Sequence, residues 1–323
     1  MRILVTGCAG FIGSKVTEIL ARGGHEVIGV DNVNDAYDPR LKRWRLDQLR
    51  AVQGLTFREV DITHRAALHD AVRRQPVQAV INLAARAGVR ASLDNPGVYY
   101  ETNVAGTLNL LELCRAQRIP KLVLASTSSL YGNGERPFRE DQATDCPLSP
   151  YAASKKAAEV LAWTYHHLYA LDVSVLRYFT VYGPAGRPDM SIFRFIRWIA
   201  EDTPVALFGD GSQERDFTYI DDIARGTVEA LRPLGYEVIN LGSDRPVPVS
   251  QIIALLEEQL GRAARIDRRP AHPADALATW ADIAKARRLL GWTPETPLAD
   301  GLRAAVGWYR QNRDWACRID LGS

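Results

Sequence analysis

The segment Met1-Arg2-Ile3-Leu4-Val5-Thr6-Gly7-Cys8-Ala9-Gly10-Phe11-Ile12-Gly13 decides the fold of this 323-residue chain. A short apolar run, typical of a strand, ends at Gly7, Gly10 and Gly13, which form a GxxGxxG pattern just before a helical pattern. Glycines at such a turn let the backbone turn sharply and approach a pyrophosphate, whose charge the helix N-terminus favours. An ordinary strand–helix turn can also contain glycines, so the interpretation depends on the sequence that follows.

Outward from this segment, strand and helix patterns alternate through the first half of the chain. Strands are predicted at 3–6, 26–31, 56–61, 79–83, 121–126 and 174–178, and helices at 12–22, 39–53, 64–74, 97–118 and 150–170. Nearly continuous apolar strands separated by helices are typical of a parallel sheet covered on both faces. We therefore predict an α/β fold with a doubly wound parallel sheet of the Rossmann type.

Beyond residue 178 the pattern changes, because the loops lengthen and prolines become frequent. Helical patterns remain at 191–201, 221–231, 250–260 and 282–290, with short strands between them. No Gly/Ser-rich linker separates the two parts. We predict a sheet domain over residues 1–178 and a smaller, irregular cap over residues 179–323 that is interleaved with it.

Composition excludes several classes of protein. The 40 Lys+Arg and 38 Asp+Glu residues give a formal net charge of +2, which argues against a strongly basic nucleic-acid-binding protein. No apolar run approaches the length of a membrane span, and the opening run is too short for a signal peptide. The four scattered cysteines have no zinc-site spacing. We expect a cytoplasmic protein without a bound metal or a nucleic-acid or membrane partner.

Acidic residues at two strand ends indicate which dinucleotide would bind. Asp31 ends the second predicted strand, 18 residues after Gly13. A carboxylate there accepts hydrogen bonds from an adenosine ribose and repels a 2′-phosphate, so the cofactor is predicted to be NAD rather than NADP. Asp61 and Ile62 end the third strand, where an adenine amino group would lie, although an Asp at a strand end is also a common helix N-cap.

Candidate catalytic groups follow in the Tyr151-Ala152-Ala153-Ser154-Lys155 segment. On a helix, Tyr151 and Lys155 lie one turn apart on the same face. A nearby ammonium lowers the pKa of a phenol, which makes Tyr151 usable as a base near neutral pH. The hydroxyl-rich segment Ser126–Gly132 follows a predicted strand, at the sheet edge where ligands bind. Taken alone, the Tyr-Lys pair could be a surface pair and the hydroxyl-rich segment a polar loop. The glycine pattern, the hydroxyl-rich segment and the Tyr-Lys pair in this order along the chain are together much more specific for a catalytic site.

Four longer segments resemble a known family. They are Asp31–Asp38 (DNVNDAYD), Asn82–Arg90 (NLAARAGVR), Arg177–Met190 (RYFTVYGPAGRPDM) and Arg215–Asp222 (RDFTYIDD). With the motifs above, they make the chain similar to the extended short-chain dehydrogenase/reductases from residue 2 to about residue 305. Within that family the sequence resembles the UDP-glucuronate 4-epimerases, because the AGVR and GRPDM segments are more specific to them than the generic motifs.

The resemblance implies roles for individual residues. Tyr151 would be the catalytic base, Lys155 would support it and bind the nicotinamide ribose, and Thr127 would bind the reacting sugar hydroxyl. The positions implied for NAD binding are Gly7, Gly10, Phe11, Ile12, Gly13, Asp31, Asn32, Asp61, Ile62, Leu83, Ala85, Asn103, Tyr151, Lys155 and Tyr178. The positions implied for the substrate are Thr127, Ser128, Ser129, Thr180 and Arg187 near the sugar and its carboxylate, Val205 and Phe208 at the uracil, Arg215 at the pyrophosphate and Asp275 at the uridine ribose.

One substrate position departs from the family pattern. His272 stands where related galactose epimerases carry a phosphate-binding Arg, which puts that contact in doubt. Arg90 is a second basic candidate for the substrate, with a structural ion pair as its ordinary explanation.

By the same resemblance, residues 1–178 would bind NAD and residues 179–323 mainly the nucleotide sugar. The expected reaction is NAD-dependent inversion of C4 of UDP-glucuronate to UDP-galacturonate through a transient 4-keto intermediate, so the chain would be an isomerase. The helices at 97–118 and 150–170 resemble those that pair two subunits in this family, so we expect a homodimer.

Three alternatives stay open. They are a 4-epimerase of neutral UDP-sugars such as UDP-glucose or UDP-N-acetylglucosamine, a UDP-glucuronate decarboxylase, and a non-catalytic NAD-binding sensor. Sugar dehydratases of this fold carry Asp-Glu after the threonine, and the decarboxylases carry a Glu in the same segment. Ser128 and Ser129 have no group that ionises near pH 7, which argues against elimination and less strongly against decarboxylation.

Overall fold

The Gly-rich segment joins a buried strand to a helix, as its sequence predicts. The computed structural model describes residues 1–73, 76–270 and 278–322. In it, Ile3, Leu4 and Val5 are completely buried, and the helix begins at Phe11, directly after Gly10. The predicted Rossmann-type α/β fold is confirmed by the sheet that forms around this strand.

Twelve strands occur in the described part of the chain. They are β1 (Arg2–Thr6), β2 (Glu26–Asp31), β3 (Leu55–Glu59), β4 (Ala79–Asn82), β5 (Lys121–Thr127), β6 (Asp172–Tyr178), β7 (Thr180–Tyr182), β8 (Val205–Phe208), β9 (Glu214–Tyr219), β10 (Tyr236–Leu241), β11 (Pro246–Pro248) and β12 (Ile266–Arg269). Seven of them form one sheet in the order β10-β6-β5-β4-β1-β2-β3. All six pairings in this sheet are parallel, so their carboxyl ends share one edge.

Helices cover both faces of this sheet and build the cap. They are α1 (Phe11–Arg22), α2 (Pro39–Arg50), α3 (Arg65–Val72), α4 (Ala91–Asp94), α5 (Pro96–Tyr99), α6 (Gly106–Gln117), α7 (Pro150–Tyr169), α8 (Ser191–Ala200), α9 (Ile220–Glu229), α10 (Val249–Leu260), α11 (Ala284–Leu290), α12 (Leu298–Gln311) and α13 (Arg313–Ala316). In the part of the chain that the structure describes, no helix has both the length and the apolarity needed to cross a membrane.

The single helix predicted over 97–118 is interrupted. A π-helical segment at Tyr100–Ala105 separates α5 from α6. Such segments insert a residue into the regular helical repeat and occur frequently at functional sites. This one contains Asn103, whose side chain is 1% exposed.

The later part of the chain contributes to the sheet as well as to the cap. Strand β10 pairs with β6 and completes the sheet from residues beyond 178. A separate hydrophobic cluster joins α8, α10 and α12, and it includes Leu41 from α2. The sheets of the cap are small, with three strands in the order β11-β9-β7 and two strands in β12-β8.

Candidate active site

A cleft lies at the carboxyl edge of the sheet, where the order of strands reverses between β1 and β4. Ligands bind at this point of doubly wound sheets. Nineteen residues predicted for the cofactor or substrate line it: Gly7, Gly10, Phe11, Ile12, Gly13, Asp31, Asn32, Asp61, Ile62, Leu83, Ala85, Thr127, Ser128, Ser129, Tyr151, Lys155, Tyr178, Thr180 and Arg187. The structure therefore brings most of the predicted site together, from segments spread over 180 residues.

The Gly-rich turn fits a dinucleotide. A Cβ on Gly13 would lie 2.0 Å from the carbonyl oxygen of Gly7, and one on Gly7 would lie 2.7 Å from the backbone of Leu83 and Ala84. Gly7 also has a φ of +70°, which favours glycine. Gly10 occupies the N-cap position of α1 and provides no side-chain cap, and no acidic residue stands in the first turn. The N-terminus of α1 therefore offers its backbone N–H groups to a pyrophosphate in the cleft.

Asp31 lies where the adenosine ribose of a dinucleotide would be expected. It is buried, and its carboxylate accepts hydrogen bonds from the backbone N–H groups of Ala9, at 3.1 Å, and Val33, at 2.8 Å. These bonds fix a negative charge beside the Gly-rich turn, which fits NAD better than a 2′-phosphorylated cofactor. Asp61 accepts from the Thr63 backbone and hydroxyl and from the Asn32 amide, so it also caps its own loop.

The chain places the Tyr-Lys pair on a well-capped helix. Ser149 caps α7 by accepting a hydrogen bond from the Ala152 N–H, and Pro150 occupies the first helical position. Thr127 ends β5 and caps the next turn by accepting from the Ser129 N–H at 3.1 Å. Tyr151 and Lys155 therefore project from a helix, and Thr127 from a strand end, into the same cleft.

The environment of Tyr151 both opposes and favours its ionisation. Burial raises the pKa of Tyr151 above its usual value, whereas a hydrogen bond with Thr127 and the positive charge of Arg187 lower it. The sequence led us to expect that Lys155 would lower this pKa, but in the structure burial outweighs the hydrogen bond with Thr127 and the charge of Arg187, and the pKa of Tyr151 is raised. The ring of Tyr99 packs edge-on against Tyr151 at a centroid distance of 6.2 Å and restricts its rotation.

Lys155 lies one helical turn before Glu159, which is the centre of a buried polar network. Burial lowers the pKa of Lys155 to about 8, and the charge of Glu159 opposes this change. The Glu159 carboxylate accepts two hydrogen bonds from Arg177, at 2.8 and 3.0 Å, and one from the Ser126 hydroxyl at 2.5 Å. Ser126 directly precedes Thr127, so the network connects α7 with the end of β5.

Arg187 provides a fixed positive charge in the cleft. Its Nε and Nη2 atoms donate to the carboxylate of Asp189, and Nη2 also donates to the Ala87 carbonyl at 3.2 Å. Among the described residues no hydrogen-bond partner is assigned to Nη1, which leaves this donor available to an anion. Ser128, Ser129 and Thr180 line the same cleft and offer hydroxyl donors.

Four predicted site residues lie elsewhere. Asn103 is buried and does not line the cleft. Its side-chain oxygen accepts from the Arg86 N–H, and its side-chain nitrogen donates to the Arg86 carbonyl and the Ser154 hydroxyl, each at 2.9 Å. Val205 is completely buried in the cap core, because alternate side chains of β8 face that core. Its side chain therefore does not reach the cleft, and its contact with a base stays a prediction.

The other two are Phe208 and Arg215, and neither lines the cleft in this structure. The guanidinium of Arg90 stacks on the Phe208 ring at 3.9 Å, so one ring face is covered. Arg215 lies on β9 and donates to the Glu214 carbonyl at 2.8 Å. Asp275 and His272 lie outside the described residues.

Several lining residues escaped prediction. Tyr37 and Lys42 line the cleft beside Asp31, as do Gly88, Val89 and Met190 near Arg187. Tyr37 belongs to the DNVNDAYD segment, so the resemblance was the available signal. Lys42 lies on α2, where a charged residue is indistinguishable from an ordinary solvated position in sequence.

Known proteins resemble this chain over nearly its whole length. A model of the NAD-dependent epimerase/dehydratase family matches residues 3–242. A UDP-glucuronate 4-epimerase of Thermodesulfobacterium geofontis is 58% identical over 310 residues, which cover 96% of each chain.

Solved structures agree with this relationship. The Bacillus cereus UDP-glucuronic acid 4-epimerase, in complex with UDP-glucuronic acid and NAD, superposes with a TM-score of 0.92 at 38% identity, covering 97% of this chain and all of that one. The Thermotoga maritima UDP-glucose 4-epimerase with UDP-glucose gives a TM-score of 0.90 at 32% identity, with the same coverage. Together with the geometry of the cleft, these relationships show that the chain belongs to the NAD-dependent epimerase/dehydratase family.

Proposed function

We propose that this chain is an isomerase that interconverts UDP-glucuronate and UDP-galacturonate by inverting C4, with NAD as its cofactor. The observation that supports it most is that Arg187 occupies the same cleft as Tyr151 and Lys155. A catalytic base therefore stands beside a cation suited to a carboxylate. The names of the Thermodesulfobacterium geofontis and Bacillus cereus relatives point to the same substrate.

Tyr151, as a phenolate, removes the proton of the sugar 4-hydroxyl, and Thr127 holds the same oxygen by a hydrogen bond. When bound, NAD⁺ would accept the C4 hydride and return it, and its positively charged ring would favour the Tyr151 phenolate. The 4-keto sugar turns about its anchored nucleotide and presents the opposite face of C4. Tyr151 then returns the proton to the oxygen. Lys155 supplies positive charge and binds the nicotinamide ribose.

A uronate substrate needs a further restraint. Its 4-keto form is a β-keto acid, which loses CO₂ when the C5–carboxylate bond aligns with the carbonyl π system. Arg187, held by Asp189 and the Ala87 carbonyl, supplies a charged donor for the carboxylate. Ser128, Ser129 and Thr180 add hydroxyl donors that hold the carboxylate in the other orientation.

The reaction is tested by incubating the purified protein with UDP-glucuronate, without added cofactor, and following the anomeric proton by NMR. Appearance of UDP-galacturonate is the expected result. A UDP-pentose would identify a decarboxylase instead. Turnover of UDP-glucose alone would identify a neutral-sugar epimerase, and bound NAD with no turnover of either sugar would identify a sensor.

The pKa of Lys155 predicts an alkaline limit for the reaction. Because burial lowers this pKa to about 8, the ammonium loses its proton as the pH rises through that value. The positive charge is present below this pH and absent above it, so we expect kcat to fall above about pH 8. A kcat profile from pH 6 to 10 at saturating substrate measures this effect. A profile that stays flat to pH 10 would contradict a requirement for the charged form.

We further propose that the chain forms a homodimer in the cytoplasm. Exposed apolar side chains lie on the adjacent segments around α6 and α7, among them Tyr100, Leu108, Val160 and Leu168. These neighbouring helices would pair with their copies in a second chain and remove this surface from water. Sedimentation velocity should give twice the mass of 35.9 kDa. A sedimenting species at the single-chain mass would contradict the dimer.

A further inference from the structure

We propose that Arg45 is a positioning residue that holds the loop before Arg187 against the Gly-rich turn, so that Arg187 can receive an acidic sugar. This inference rests on the proposed function. Arg45 lies on α2, outside every motif that the sequence singles out. It connects the wall of the cleft that fits the cofactor to the wall that fits the substrate.

Arg45 is fully enclosed by these two walls. Its side chain is buried, with the residue 3% exposed. Nε and Nη2 donate to the carbonyl of Ala185, at 3.2 and 2.6 Å, and Nη1 donates to the carbonyl of Ala9, at 3.2 Å. Ala9 lies inside the Gly-rich turn, and Ala185 lies two residues before Arg187. One guanidinium therefore fixes the separation between the two loops.

The groups that accept hydrogen bonds from Arg45 are uncharged, which fits a guanidinium that holds loops together. Among the described residues they are backbone carbonyls and a phenol, and Arg45 forms no ion pair with a carboxylate. A buried charge without a counterion is destabilising unless its hydrogen bonds are well made. A planar guanidinium can bind several carbonyls at once, which an ammonium cannot do in the same geometry.

The loop that Arg45 holds needs support. Ala185 has a φ of +51°, in the left-handed backbone region that residues other than glycine rarely adopt. Such a conformation persists only when its surroundings enforce it. Two bonds from Arg45 to the Ala185 carbonyl provide this enforcement, and Arg187 follows immediately after Gly186.

A second connection runs through Tyr37. Nη1 of Arg45 donates to the Tyr37 hydroxyl at 2.6 Å, and its guanidinium lies 5.5 Å from the Tyr37 ring. Burial alone would lower the pKa of Arg187, whereas Asp189 and, more weakly, the phenol of Tyr37 raise it. Tyr37 is therefore within electrostatic reach of Arg187, and Arg45 binds the Tyr37 hydroxyl.

A double-mutant cycle separates positioning from general stabilisation. We expect Arg45→Met to lower kcat/KM for UDP-glucuronate by about 10-fold or more, within the range of energies by which residues in contact are coupled. In an Arg187→Met background the same change should cost less than about 3-fold, because the group it positions is already gone. Equal losses in both backgrounds would overturn the inference. Arg43→Met, an exposed change on the same helix, is the matched control and should behave as the parent does.

Binding supplies a readout other than turnover. In a Tyr151→Phe background, calorimetry with UDP-glucuronate and with UDP compares ligands with and without the acidic sugar. We expect Arg45→Met to weaken the binding of UDP-glucuronate at least about 10-fold. The affinity for UDP and the content of bound NAD should stay nearly unchanged. Equal weakening of both ligands would show a structural role only and would overturn the inference.

Milder variants keep the inference testable if Arg45→Met does not fold. Tyr37→Phe removes only the hydroxyl that Arg45 binds, and Arg45→Lys keeps the charge but loses the planar donor set. Each of these two variants should bind UDP-glucuronate more weakly while its affinity for UDP stays the same. A variant that binds UDP-glucuronate and UDP as tightly as the parent would contradict the proposal. If the Tyr151→Phe protein itself binds UDP-glucuronate no better than UDP, the proposed function fails. If it does discriminate but Arg45 has no part in this, only the positioning role fails.

Discussion

Replacement of Tyr151 by phenylalanine is expected to lower kcat by about 10²- to 10⁴-fold, the usual contribution of a positioned acid–base group. The ring and its edge-on packing against Tyr99 would remain, so the fold and the NAD content should not change. Only the hydroxyl that exchanges a proton with the sugar is lost. The rate is measured by NMR on UDP-glucuronate, and bound NAD by its absorbance after the protein is denatured.

Tyr99→Phe is the matched control for this change. It removes a buried hydroxyl from the neighbouring ring, and among the described residues this hydroxyl makes only a long hydrogen bond of 3.5 Å to the Ala87 carbonyl. We expect this variant to keep a rate within a few-fold of the parent, since long hydrogen bonds contribute little. Comparable losses of kcat in the two variants would show that the site depends on packing. A Tyr151→Phe protein with the parental rate would refute the role of Tyr151 as the base.

Replacement of Glu159 by glutamine is expected to destabilise the fold by about 3–5 kcal/mol, the usual cost of removing one partner of a buried ion pair. The Arg177 and Glu159 side chains are 4% and 6% exposed, so water cannot replace the lost carboxylate. Arg177 would remain as a buried positive charge, with the Tyr131 hydroxyl as an acceptor at 3.0 Å. Urea-unfolding midpoints with a common slope measure the free energy of unfolding.

The control removes both charges at once. Glu159→Gln combined with Arg177→Met should be more stable than Glu159→Gln alone, because the charge of Arg177 no longer lies unpaired in the interior. If the double variant were less stable than the single one, the destabilisation would come from lost packing or hydrogen bonds rather than from the charge. A Glu159→Gln protein as stable as its parent would show that the interior at this point is hydrated.

The fold could be predicted because its signals are local. The glycine turn, the apolar runs and the helical periodicity each depend on a few neighbouring residues, and together they specify the doubly wound sheet. The π-helical segment at Tyr100–Ala105 was not predicted from local periodicity, and its Asn103 forms hydrogen bonds with Arg86 and Ser154, which are distant in the sequence. Helix α12 was not among the predicted helices, although Leu302, Val306 and Tyr309 follow helical spacing.

The site divides in a similar way. Residues at strand ends and at the Gly-rich turn were identified because parallel strands bring their carboxyl ends to one edge. Arg45 carries no local signal, since its importance depends on which loops meet it in space. The burial of the Val205 side chain could not be foreseen, because the sequence does not show which face of β8 turns toward the core. The division of labour at residue 178 stays a prediction, as do the roles of the individual site residues.

The pairing of β10 with β6 has a consequence for how the chain is made. During synthesis the ribosome releases β6 well before Tyr236–Leu241, so the outer edge of β6 has no partner while some sixty residues are still being added. Unpaired apolar strand edges are templates for association with other chains. A nascent or truncated chain that stops near residue 178 would thus expose this edge to association with other chains.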